Sequence, residues 1–328
     1  MRSSRLSHPL TRPLTRSLRR SLATTASASA SAALPDSLVV AAAQLRPDRT
    51  LDATVREMER MLADAAGAGA QVLVLPEAAT VGYSDDAGAK ATAAALADAE
   101  DTLRAACRRH SIAAVIGTPH TSPDDGRCFN SAVLIDERGE LIGRQHKMQL
   151  VPTDAGWSVP GERQHVFRVC GVPCAVIICH DKRYPELARL PVLAGARVLF
   201  YISAEAWHDD LPLPAPREPP WDAARLAREV GVYTAQTQAR AVENRVWLVK
   251  SNVAGSRERP LEGSHGMSCV VDPTGVVVAE CGMFDEEMVV HALQLADAHA
   301  LYAQKSLLPE YAMARWWEEG VRSVVVHD

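Results

Sequence analysis

Val172-Pro173-Cys174-Ala175-Val176-Ile177-Ile178 runs directly into Cys179-His180-Asp181-Lys182-Arg183-Tyr184-Pro185-Glu186. The first seven residues form a short apolar run, which reads as a fully buried strand. A polar turn follows, and then a helix from Pro185 to about Ala194, because proline suits a first helical position. A thiol at the carboxyl end of a buried strand sits where α/β proteins place their chemistry. Most free cysteines are only small buried hydrophobes, so Cys179 gains meaning from what accompanies it.

Working outward, short apolar strands alternate with amphipathic helices, the pattern of an α/β domain. Leu38–Gln44 reads as a strand, and Thr50 as the cap of a helix with Leu51, Val55, Met58, Met61 and Leu62 on its apolar face. Gln71–Leu75 is the next strand, closed by Pro76 and Glu77. A helix from about Lys90 to Arg109 leads to the strand Ile112–Gly117. Phe129–Asp136 and Leu141–Gln145 flank a turn and form a hairpin that delivers Lys147 at its far end. Arg197–Ile202 is a strand, and residues 207–222, with five prolines, read as a surface loop or lid. A helix over 222–244, the strand Val246–Asn252 and a hairpin over 267–280 complete the pattern. Residues 36–328 show no internal repeat and no linker, so one domain is expected.

Composition excludes several classes. The hydrophobic content of 47% and charged content of 23% are those of a globular enzyme, and no apolar run is long enough to span a membrane. Seven cysteines, an odd number scattered through strands and helices, do not make a disulfide framework. Cys174 and Cys179 are five residues apart, so along a strand they leave on opposite faces and are not expected to share a metal. Residues 1–35 hold six arginines, eight serines and no acidic residue. That composition is typical of an organellar transit peptide, so mitochondrial import is expected, with a cytoplasmic location as the alternative. Without the leader the net charge falls from −5 to −11, which argues against a nucleic-acid partner.

Glu77, Lys147 and Cys179 each end a strand and face a loop. In a mostly parallel sheet such ends converge on one rim. A carboxylate base with a nearby cation can ionise a thiol, and a fixed ammonium stabilises the charge that attack on an amide or nitrile creates. Taken singly, Glu77 reads as an exposed helix-start carboxylate and Lys147 as a solvated hairpin lysine. Together, in this order, they form a chemically sufficient set.

At this point the sequence resembles the nitrilase superfamily of carbon–nitrogen hydrolases, from about Val39 to Leu293. The resemblance is carried by Val74-Leu75-Pro76-Glu77 with Gly82-Tyr83, by Gly143 to Leu150 around Lys147, and by Ile178 to Glu186 around Cys179. Gln238 to Asn244, Ser251-Asn252 and Gly263-Ser264-His265-Gly266 add to it. It implies a four-layer αββα sandwich over 36–295, with 296–328 as a C-terminal extension, and a homodimer or higher homo-oligomer. It makes Glu77 the general base, Lys147 the oxyanion cation, Cys179 the nucleophile and the His180 backbone N–H an oxyanion donor, with no cofactor and no metal. Tyr83, Asp154, Trp207 and His208 are pocket candidates. Many amidase-type members carry a second glutamate after the lysine; here only Asp154 and Glu162 are available for that role. Cys179-His180-Asp181 differs from the Cys-Trp-Glu of nitrilases, which favours small linear amide or N-carbamoyl substrates over nitriles. The alternatives are a nitrilase and a catalytically silent metabolite-binding or scaffold member of the fold.

Overall fold

A computed structural model describes residues 34–46, 49–205, 223–257 and 264–327. The leader up to residue 33, Trp207, His208 and the proline-rich segment around them lie outside the described residues. The chain runs β1 (Ser37–Gln44), α1 (Leu51–Gly67), β2 (Val72–Val74), α2 (Ala93–His110), β3 (Ala113–Thr121), β4 (Cys128–Ile135), β5 (Leu141–His146) and the one-turn α3 (Pro152–Ala155). It continues with β6 (His165–Val169), β7 (Val172–Ile178), α4 (Pro185–Leu193), β8 (Val198–Ser203), α5 (Ala223–Val242), β9 (Trp247–Asn252), β10 (Cys269–Val271) and β11 (Val277–Glu280). β12 (Glu287–Gln294), α6 (Leu301–Lys305), α7 (Ala314–Val321) and β13 (Val325–Val326) close it.

The strands form two sheets, ordered β12-β1-β2-β3-β4-β5 and β11-β10-β9-β8-β7-β6-β13. Strand alternation explains the layering. Val40 and Ala42 of β1 face a core between the sheets, where they join Val74, Val115 and Leu134 against Phe167, Val176, Ile178, Phe200 and Val249. Ala41 and Ala43 face the other way, onto Met58, Met61 and Leu62 of α1 and Leu103 of α2. On the far side of the second sheet, Ile177, Leu199 and Leu248 bury Ala188 and Val192 of α4 and Ala241 of α5. The result is the αββα order. The first long helix begins where the sequence says it should, with the Thr50 hydroxyl accepting the Ala53 N–H.

Two expectations change. Neither sheet is a single parallel array: β1–β2–β3 and β7–β8–β9 are parallel runs, flanked by antiparallel partners such as β4, β6 and β10. Glu77 and Lys147 follow strands of the first sheet, whereas Cys179 follows a strand of the second, so no common rim joins them. In addition, Cys174 and Cys179 do not diverge; both pack against the inter-sheet core. Cys179 has φ +48°, so the chain has left the strand and its alternation ends at Ile178. The C-terminal segment supplies β13, which adds to the second sheet beside β6 in parallel. No helix among the described residues is long and apolar enough to cross a membrane.

Candidate active site

Glu77 stands just beyond β2, behind Pro76, and is fully buried. Ala78 next to it holds φ +47°, so the backbone turns sharply at this point. Room for the turn comes from Gly117 on the neighbouring β3. A Cβ there would lie 2.1 Å from the Pro76 carbonyl oxygen and 2.6 Å from the Glu77 Cα. Gly117→Ala is therefore expected to push Glu77 out of place. The expected outcome is a fall of about 10²-fold or more in turnover, the scale of a ~1 Å misplacement, checked by comparing kcat with the circular dichroism of the variant.

Lys147 follows β5, its N–H bonded to the Asn130 carbonyl at 2.8 Å. Its Nζ lies 2.7 Å from Glu77 Oε1 and 2.6 Å from Asp154 Oδ2, all three side chains being fully buried. Asn130 ties the two carboxylates together, its Nδ2 donating to Glu77 Oε1 at 2.8 Å and to Asp154 Oδ1 at 2.9 Å. The second Glu77 oxygen accepts the Ala204 N–H at 2.8 Å, a bond from just beyond β8 that joins the two sheets at the site. Burial works against the Lys147 ammonium, yet Glu77 and then Cys179, Tyr83 and Asp154 hold it well above its ordinary value. It is a permanent cation flanked by two acids.

Of the two acids considered for the loop after Lys147, Asp154 is the one beside the lysine. It sits on α3, where Oδ2 also accepts the Val151 N–H at 3.0 Å. Glu162 is exposed and reaches Arg127 at 3.5 Å instead. Tyr83 is drawn in as well, its ring centroid 5.3 Å from Lys147 Nζ. Burial, and then Glu77, push its hydroxyl far above the usual phenol value, so it stays protonated.

Cys179 opens a 3₁₀ turn over Cys179–Arg183, and its left-handed φ turns the side chain back towards the inter-sheet core. Burial and then Glu77 push the thiol up to about 11, with Lys147, Ser203 and Lys182 opposing them. At neutral pH the resting group is therefore a thiol, and a base must take its proton during attack. This corrects the expectation that Glu77 and Lys147 leave it ionised: Lys147 favours the thiolate, but the Glu77 carboxylate and burial outweigh it.

Asp181 clamps this turn to the Lys147 segment. Its buried carboxylate accepts N–H groups from Ile178 at 3.2 Å, Met148 at 3.2 Å and Gln149 at 2.7 Å. Burial raises it to about 7 even so. His180 turns its ring to Tyr184, edge to face at 5.7 Å. Sequence reading did not mark Asn130, Asp181 or Ser203. The only available signal was proximity, since Asp181 stands two residues after the thiol; Asn130 and Ser203 gain their roles through pairing across strands.

A family model described as carbon-nitrogen hydrolase matches residues 39–303. The chain is 32% identical over 231 residues to the 2-oxoglutaramate amidase of Bacillus subtilis (strain 168), covering 68% of this chain and 77% of that protein. It is 26% identical over 248 residues to a hydrolase in the agr operon of Staphylococcus lugdunensis, covering 73% and 93%. Among solved structures, a cysteine-to-alanine mutant of an amidase from Nesterenkonia AN1, of the nitrilase superfamily, superimposes with a TM-score of 0.69 at 26% identity, covering 87% of this chain and 100% of that one. A glutamate-to-glutamine mutant of the same amidase carries the acetamide moiety of fluoroacetamide covalently added at its active-site cysteine, with a TM-score of 0.69, 26% identity and coverage of 88% and 100%.

Proposed function

Because the chain belongs to the carbon–nitrogen hydrolase family, we propose that it hydrolyses a small-molecule amide at Cys179 through a thioester. The observation that carries this reading is the buried contact of Lys147 with both Glu77 and Asp154, beside a strand-end thiol. The amidases among the relatives support it. Glu77 takes the thiol proton as sulfur attacks the amide carbon, and the C=O pair moves to oxygen as O⁻. The Lys147 ammonium, with the His180 backbone N–H, stabilises that oxyanion. Glu77 then returns the proton to nitrogen, ammonia or an amine leaves, and a thioester remains. Water, deprotonated by Glu77, attacks the thioester; the acid departs and the thiol is restored. Asp154 and Asn130 keep Lys147 and Glu77 in register throughout. This reading needs no metal or organic cofactor.

The test is an ammonia-release screen across ω-amides of dicarboxylic acids, simple linear amides, N-carbamoyl compounds and nitriles. Release from one or more amides is the expected result, accompanied by a covalent acyl adduct at Cys179 under acid quench. Turnover of nitriles alone would overturn the amide reading, and no turnover with any of them would favour a silent binding protein. We further infer a homodimer, supported by the resemblance, and mitochondrial import, supported by the arginine- and serine-rich leader. Sedimentation of the purified chain and fractionation of cells expressing it with a C-terminal tag check these two.

A further inference from the structure

The site is assembled from two sheets, so its halves must be held at a working distance. One tie is the Ala204 N–H on Glu77 Oε2, 2.8 Å long, which fixes the base against the second sheet. Ala204 follows β8, and β8 pairs with β7 as far as Ile202 and Ile178, directly before Cys179. Base and nucleophile therefore share one frame. The two oxyanion donors of the mechanism above do not. The Lys147 backbone is held from its own side, its N–H on the Asn130 carbonyl and its carbonyl accepting the Gly161 N–H, both at 2.8 Å. The His180 N–H belongs to the 3₁₀ turn that leaves β7.

Asp181 spans that gap. It lies on the same turn, one residue after His180, and is fully buried. Its two oxygens serve different segments. Oδ2 accepts the Ile178 N–H at 3.2 Å, at the root of the nucleophile's turn. Oδ1 accepts the Gln149 N–H at 2.7 Å and the Met148 N–H at 3.2 Å, from the two residues that follow Lys147. The residue-by-residue pairing of β5 with β4 ends at His146, so these two amides lie past the ladder and take a side-chain acceptor. A neutral side chain of this shape could not do the same. Asparagine has one accepting oxygen and would set its NH₂ against an N–H at the other end. Burial pushes the Asp181 carboxyl up to about 7, so the charge is kept here against its desolvation.

We propose that Asp181 is the positioning residue of the oxyanion site, setting the distance between the Lys147 ammonium and the His180 N–H across the two sheets. It acts through the backbone of the two segments that carry those donors. This role rests on the proposed function, in which both groups receive the oxyanion charge. Its consequence is selective. Reactions of Cys179 that build charge on a carbonyl oxygen depend on Asp181. Reactions that build none are spared, because Glu77 keeps its own tie to the second sheet.

The test compares two reactions of the same thiol in the full-length parent and in Asp181→Asn, at pH 8, above the value at which Asp181 ionises. With p-nitrophenyl acetate, sulfur attacks the ester carbon, Glu77 takes the thiol proton and the oxyanion forms. p-Nitrophenolate then leaves with the electron pair of the broken C–O bond, and a thioester remains. With iodoacetamide, Glu77 takes the same proton, sulfur bonds the methylene carbon and iodide leaves, so no oxygen gains charge. Nitrophenolate absorbance and peptide mass mapping at Cys179 follow the two rates. Asp181→Asn is expected to slow acylation by about 10²-fold, the scale of a ~1 Å misplacement, and alkylation by less than about threefold. A role confined to general stability would move both rates together. Equal slowing of the two, or no slowing of acylation, in a folded variant overturns the proposal. Should Asp181→Asn not fold, Asp181→Ser, whose hydroxyl still accepts one N–H, is held to the same criterion. Where the parent turns over an amide but not the ester, the kcat for that amide replaces the acylation rate. A parent that does neither sinks the proposed function and the Asp181 role with it; an active parent whose variant slows alike in both reactions sinks the Asp181 role alone.

Discussion

Cys179→Ala is expected to lower amide turnover by about 10⁴- to 10⁶-fold, the scale seen when a nucleophile is removed from residues that act as a unit. The acyl adduct should vanish completely. The reason is geometric. Cys174, the nearest thiol in sequence, is buried among apolar side chains between the sheets, and burial pushes it far above the ordinary thiol value. It cannot substitute. The fold should survive, because only one sulfur is removed and alanine tolerates φ +48° about as well as cysteine does. An unfolding midpoint within a few degrees of the parent, together with absent ammonia release, is the expected pair of measurements. Retained turnover would remove Cys179 from the mechanism.

Lys147→Met should cost both activity and stability. Without the ammonium, the buried carboxylates of Glu77 and Asp154 face each other across Asn130 with no counter-ion. Removing one partner of a buried ion pair destabilises by about 3–5 kcal/mol, and losing the oxyanion cation costs about 10²- to 10³-fold in kcat. The pH dependence has a definite sign. In the variant, ionising either buried carboxylate beside its like-charged neighbour costs free energy that the unfolded chain, whose carboxylates ionise at about 4, does not incur. The stability deficit then grows as pH rises above that value and levels off once the folded groups ionise. Urea unfolding of the variant at pH 5 and pH 8 should show the larger deficit at pH 8. Adding Asp154→Asn should recover stability without recovering activity. Equal deficits at both pH values would contradict the buried charge triplet.

Local structure was legible because its causes are local. Thr50 lies at a helix start with apolar residues spaced behind it, and the helix begins there. The apolar run 172–178 ends at a polar turn, and the strand ends there too. Glu77, Lys147 and Cys179 could be selected because each follows a strand, in an order that matches a known family. Where the reading failed, the cause was three-dimensional. Parity between Cys174 and Cys179 misled because a left-handed residue stops the alternation, and no residue type announces such a φ when it is not glycine. The preference for Asp154 over Glu162 rests on one helical turn that aims its carboxylate at Lys147.

The sequence by itself determined the alternation of the main strands and helices up to residue 280, and it singled out Glu77, Lys147 and Cys179. Hydrophobic period and chain-terminating residues act over a few positions, and those signals suffice. The tertiary structure alone decided that two sheets, not one rim, assemble the site, and that an Ala204 amide 127 residues along the chain holds Glu77. It also decided that Glu205 joins Lys182 to Lys250. Such contacts exist only once distant segments pack, because the desolvation that makes a buried charge seek its partner is a property of the closed core.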